Sequence, residues 1–198
     1  LSNRSDNGPQ ISVPPANLQN QSTPSYFQET IRLSRGEVYV SPFELSTVQN
    51  VLEQPHKPVI RFGMPLFDRA GSPRGILLLT YLGADLLDGL SRAALSSVGV
   101  MMLLNADGDW LKGAAPEDEW GFMLSDRAAR SFRATYPEAW ARIASAQSGQ
   151  FTDAVGLITF STVYPLSEGA KASTRPGEPA ALDAVRLVNK TYAWKIVS

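Results

Sequence analysis

Apolar positions along this chain recur with two different periods. In Lys57–Asp68 they alternate: Ile60, Phe62, Met64 and Leu66 share one face, opposite Val59, Arg61, Gly63 and Pro65, as in a strand. Arg74–Leu82 follows across the Gly-containing stretch 69–73, so the pair is predicted to form a hairpin. Because Arg74–Leu82 is apolar on both faces, it is expected to be a central strand covered on both sides. Helical spacing appears in Ser25–Leu33, where Thr23 offers an N-cap, Pro24 a first helical position and Gly36 a stop. It returns in Gly83–Ser97, through Leu86, Leu87 and Leu90, and in Arg127–Ala146, through Phe132, Tyr136, Trp140 and Ile143. Pro137 divides the last segment into two short helices meeting at Tyr136.

Shorter β-like runs fill the intervals: Ile11–Val13, Glu37–Ser41, Met101–Asn105, Trp110–Leu111, Phe151–Asp153, Leu157–Tyr164 and Tyr192–Val197. Glu44–His56 reads as a polar linker and Ser167–Ala181, rich in Gly, Ala, Pro and Ser, as a flexible loop. Strands grouped in hairpins without helical crossovers argue against a parallel α/β fold. The expected class is α+β, with two antiparallel sheets divided near residues 91–98.

Composition narrows the chemistry. A 43% hydrophobic and 19% charged chain is globular, and a net charge of −1 gives no drive toward nucleic acid. With no cysteine there is no disulfide, thiolate metal site or thiol nucleophile. The lone histidine, His56, sits in the polar linker and cannot build a multi-histidine metal site. No nucleophile elbow or phosphate-cradling glycine loop accompanies it. Glu117-Asp118-Glu119 reads as a solvated loop, and Asn105–Asp109 as a tight turn at Asp107-Gly108, since a calcium loop would need a glutamate where Pro116 stands. No catalytic residues, metal ligands or cofactor are expected. No apolar run reaches the ~18 residues of a membrane helix. The chain starts at Leu1, among polar residues without a signal peptide, and reads as a piece of a longer protein.

Several motifs, in order, carry a resemblance. Tyr26-Phe27, Gly36–Pro42, Pro55–Phe62, Pro65–Asp68 and Gly75–Leu79 resemble the membrane-distal PAS-like domain of double-Cache (tandem PDC) sensors. Leu104–Leu111, Glu119–Phe122, Phe132, Tyr136-Pro137, Trp140 and Gly156–Phe160 are similar to the membrane-proximal domain. Such modules form the extracytoplasmic parts of histidine kinases, diguanylate cyclases and chemoreceptors. The resemblance implies two PAS-like units, residues 1–90 and 91–198, the first lacking its N-terminal helix and part of its sheet. It also implies a periplasmic or extracellular part of an inner-membrane protein, anchored in its full-length form, able to homodimerise and without enzymatic activity of its own. Where the family carries Asn or Asp after the hairpin, this chain has Thr80, which removes the usual ammonium clamp for amino acids.

Mapped onto the chain, the resemblance implies a ligand beneath the cover Tyr26–Ser41. The candidate residues are Tyr26, Tyr39, Ser41, Arg61, Thr80 and Tyr81. Phenols give aromatic walls with hydroxyl handles, and an arginine can hold a carboxylate bidentately, so an organic acid is the expected small-molecule partner. Arg61 could instead pair with Glu37 or Glu53, and Tyr26, Thr80 and Tyr81 could be packing residues. The alternative function is a structural or dimerisation module without a small ligand.

Overall fold

A computed structural model describes residues 2–3, 9, 11–18, 20, 22–48, 51–95, 99–153, 156–166, 186–188 and 192–198. The expected Ser167–Ala181 loop lies outside them. Two mixed layers appear, each a largely antiparallel sheet with helices. Ahead of both, β1 (Ser2–Asn3) pairs with β2 (Ile11–Ser12).

Helix α1 (Ser25–Ile31) begins where Pro24 fixes the backbone, and the Pro24 carbonyl, not the Thr23 side chain, receives the first amides. Strand β3 (Glu37–Val40), then β4 (Glu44–Leu45), run along one side of β7 (Pro58–Phe67), and β8 (Pro73–Leu82) along the other. The hairpin β5 (Thr47–Val48) and β6 (Val51–Leu52) occupies part of the expected polar linker, leaving His56 exposed. Helix α2 (Ala84–Ala94) closes this first layer. On the other face, α1 lies directly on β7: a Cβ at Gly63 would fall 2.2 Å from Thr30 Oγ1, so only glycine fits there.

The second sheet contains β9 (Met102–Leu104), β10 (Trp110–Lys112), β11 (Ser148–Asp153), β12 (Gly156–Val163) and β14 (Trp194–Val197), in the order β10-β9-β14-β12-β11. Between β12 and β14 the chain returns to the first sheet, where β13 (Arg186–Leu187) pairs parallel to β3. Helices α3 (Phe132–Thr135) and α4 (Pro137–Ala144) meet at Tyr136 as the proline spacing indicates. They pack Phe132, Ala139 and Ile143 against Leu104, Phe160 and Val197. The β9–β10 turn is tied by Asn105, whose Oδ1 accepts from the amides of Asp107 (3.0 Å) and Asp109 (2.8 Å). Gly108 adopts φ +81°, with Trp140 within 2.9 Å of where a Cβ would sit.

Two expectations need correcting. Strand β8 is not covered on both sides: Leu77 and Leu79 are 60% and 65% exposed, and Tyr81 and Leu82 are exposed as well. Among the described residues β8 pairs only with β7, which makes it an edge. The acidic run 117–119 is not wholly solvated either, because Glu119 is buried and paired with Lys112 at 3.0 Å.

Candidate functional site

A single extra residue shapes the α1-covered face of the first sheet. Tyr39 and Val40 lie opposite Gly63 and Phe62, but Glu44 and Leu45 lie opposite Val59 and Pro58. The β3–β4 side therefore contains one residue more than β7 over the same length, a bulge centred on Pro42. Before the bulge, Tyr39 and Ser41 share the Arg61 face; after it, Glu44 joins them, although simple alternation would send Glu44 to the other side. The Ser41 hydroxyl repairs the ladder here, accepting from the Arg61 amide (2.9 Å) and donating to the Pro42 carbonyl (2.8 Å).

Arg61 is 5% exposed and its guanidinium pairs with the Glu44 carboxylate. It also reaches toward Ser46 Oγ at 3.5 Å and lies 5.3 Å from the centre of the Tyr26 ring, a cation–π distance. Burial raises the Glu44 pKa above its ordinary value, and Arg61 works against that rise. The buried Tyr39 phenol is pushed up to about 12, first by burial and then by the neighbouring negative charges of Glu29 and Glu44. Thr30 is fully buried beside Gly63, and its hydroxyl has no hydrogen-bond partner among the described residues.

Of the six candidates, Tyr26, Tyr39, Ser41 and Arg61 come together under α1. Thr80 pairs opposite Arg61 and shares its face, but is exposed. Tyr81 pairs opposite Ile60 and so faces the other way. Neither Glu37 nor Glu53 takes Arg61: Glu37 pairs with Arg186, and Glu53 with Lys57 at 2.8 Å. Sequence reading missed Glu44, and Pro42 was the available cue. The pair can do recognition chemistry, since a guanidinium held by a carboxylate can exchange it for another. Among the described residues no group of His, Cys, Asp or Glu gathers as a metal site.

The opposite side of the same strand is a junction. Val40, Phe43, Leu45, Ile60 and Leu87 of the first layer share one core with Leu103, Leu111, Trp120, Leu124 and Trp194 of the second. The Phe43 ring meets Trp120 edge-on at 5.3 Å and Trp194 at 5.7 Å. The Phe43 amide donates to the Tyr192 hydroxyl, which also accepts from Trp194 Nε1 at 2.8 Å. The Leu45 amide points to the Met123 sulfur at 3.1 Å. Trp120 holds a left-handed backbone, φ +62°, which is unfavourable for a bulky residue and maintained by its surroundings. Glu44 thus sits between two residues anchored in the second layer.

Comparisons with known proteins agree with this architecture. A family model for the sensor domain of bacterial histidine kinases matches residues 4–172. The extracellular domain of vpHK1S-Z8, assigned as a histidine kinase, superposes with a TM-score of 0.67 at 19% identity, over 89% of this chain and 55% of that one. A domain of a sensory box/GGDEF family protein from Vibrio parahaemolyticus gives 0.69 at 19% identity, over 91% and 59%. The periplasmic sensory domain of the Campylobacter jejuni chemoreceptor Tlp1 gives 0.54 at 12% identity, over 89% and 54%. At such identities the likeness is one of fold, and the chain spans somewhat over half of each of these structures. No curated protein matches the chain.

Proposed function

The chain belongs to the sensor-domain family of bacterial histidine kinases, and from that premise we propose that it is the extracytoplasmic ligand-sensing part of a membrane receptor. In this reading residues 1–90 and 91–198 are tandem PAS-like units. A small organic acid binds under α1, contacting Tyr26, Tyr39, Ser41 and Arg61, with Thr80 at the rim. Tyr81 faces away and drops out of the contact set.

The observation that carries the reading is the placement of Glu44. Its carboxylate holds Arg61 on the sensing face, while its neighbours Phe43 and Leu45 are fixed in the shared core. A ligand carboxylate that takes Arg61 releases Glu44, and the strand carrying Phe43 is then free to shift against Trp120 and Trp194. Such a ligand acts only through its different affinity for the two arrangements. The receptor's output unit, a kinase or a cyclase, lies beyond this chain.

Thermal-shift screening of organic acids against the purified chain tests the proposal. A binding acid should raise the melting temperature. Glu44→Gln should tighten that acid by removing its internal competitor, and Arg61→Leu should abolish binding. A screen in which no stabilising acid loses its binding in Arg61→Leu would contradict it. A second reading, a dimerisation module, is favoured by one observation: Leu77, Leu79 and Tyr81 form an exposed apolar stripe on the β8 edge. It requires a dimer in solution that Leu79→Lys dissociates.

A further inference from the structure

The second layer contains a polar cavity that the relay above does not use. Between the C-terminal end of α4 and the β12–β14 pair lies a cavity of about 290 Å³, whose lining includes Trp140, Ala146, Gln147, Thr162, Tyr164 and Lys195. Alternation along β14 sends Lys195 to the face of Val197, where Leu104, Phe160 and Ile143 form an apolar core. Lys195 is only 9% exposed. Its ammonium donates to the Ala146 carbonyl (2.7 Å) and to Thr162 Oγ1 (2.6 Å), and lies 5.8 Å from the Phe160 ring centre.

Both of these acceptors are neutral, and no carboxylate pairs with Lys195 among the described residues. A buried cation without a counter-charge is costly, and burial accordingly pulls the Lys195 pKa below its ordinary value. An ammonium has three N–H bonds; among the described residues two find acceptors and none takes the third. Across the cavity, Tyr164 Oη donates to the Gln147 side-chain oxygen at 3.1 Å, which leaves the amide nitrogen of Gln147 to donate elsewhere. Trp140 and the alanines at 106, 144, 146 and 193 add apolar wall. The volume sits at the small end of ligand pockets, roughly 300–1,000 Å³.

We propose that this cavity binds a short-chain monocarboxylate, its oxygens held by Lys195 and Gln147 and its alkyl end against Trp140. With a single fixed cation, a dianion would keep one charge unpaired, so phosphate and dicarboxylates fit poorly. The site is separate from the α1-covered face and does not depend on the reading given for that face.

Butyrate is the probe, with butyramide as its neutral isostere and inorganic phosphate as the competing anion, titrated against the whole chain by calorimetry and tryptophan fluorescence. Butyrate should bind saturably at one site. Lys195→Met should weaken it at least about tenfold, the loss of a charge-assisted hydrogen bond. Gln147→Ala, at an exposed position that does not threaten folding, should weaken it about threefold. His56→Ala, at an exposed position belonging to neither site, should bind butyrate like wild type. Absence of saturable binding, unchanged affinity in both the Lys195 and Gln147 variants, or equal binding of butyramide or phosphate would overturn the proposal. Loss of binding in an Arg61→Leu/Glu44→Leu double variant with retention in Lys195→Met would place the carboxylate under α1 and overturn it equally.

Discussion

Among the described residues, each layer of the molecule buries one cation beneath a helix, and the two environments differ. Under α1, Arg61 is closed by Glu44, Ser46 and the Tyr26 ring, all supplied by the chain itself. Beneath α4, Lys195 donates to a carbonyl and a hydroxyl and lies near the Phe160 ring, with no carboxylate beside it among the described residues. A ligand at the first cation must compete with an internal carboxylate, so its binding is coupled to a movement of the strand that carries Glu44. A ligand at the second displaces no protein charge. On the readings proposed above, the first cation would report a ligand and the second would only hold one.

The largest test concerns what joins the two layers. Phe43→Ala should cost about 3–5 kcal/mol, as for other buried phenylalanine truncations, and urea unfolding followed by tryptophan fluorescence should show both layers weakened in one transition. A cost below about 1 kcal/mol would mean that the shared core does not couple them. Next come the cations. Arg61→Leu should destabilise by about 2–3 kcal/mol, somewhat under the figure for a fully buried pair because Glu44 keeps some solvent contact. Adding Glu44→Leu should restore stability to within about 1 kcal/mol of wild type. Lys195→Met should instead be neutral or stabilising by up to about 1 kcal/mol, and a loss comparable to that of Arg61→Leu would erase the distinction.

The smallest effect is one of pH. Burial holds the Glu44 pKa above its ordinary 4.5, so the folded chain binds more protons than the unfolded chain from that value upward to the raised one. Stability contributed by this group is therefore complete at lower pH and declines as pH rises through the window. Lys195 acts at the other end of the scale: its pKa is lowered from 10.5, the folded chain binds fewer protons there, and its contribution improves as pH rises toward that value. Melting temperatures of wild type, Glu44→Gln and Lys195→Met across pH should show each slope vanish in its own variant. If Glu44→Gln keeps the acidic slope, another group is responsible.

Local signals in the sequence translated well. The hairpin expected over 57–82 forms as β7 and β8, and the break at Tyr136-Pro137 falls between α3 and α4. These features depend on alternation, turn residues and proline, all of which act within a few positions. The failures are tertiary. Two-sided apolarity in 74–82 predicts cover, yet what lies against a strand is set by chain far away, and β8 stands at an edge. Glu44 escaped because the bulge at Pro42 reverses the face of every residue after it. Phe43 and Lys195 carried no local signal: one looks like any aromatic in a linker, the other like any lysine in a terminal strand. The proximity of Tyr26, Tyr39, Ser41 and Arg61 could be anticipated because the resemblance supplied the long-range arrangement that alternation lacks.

The central claim is that the state of the Arg61–Glu44 pair is felt at the junction. The most direct measurement compares the tryptophan indole N–H resonances of wild type and Glu44→Gln, without any ligand, in ¹H–¹⁵N spectra. Trp120 and Trp194, which flank Phe43, should shift, while Trp140 on α4 stays in place. Unmoved Trp120 and Trp194 resonances in a folded Glu44→Gln chain would contradict the claim.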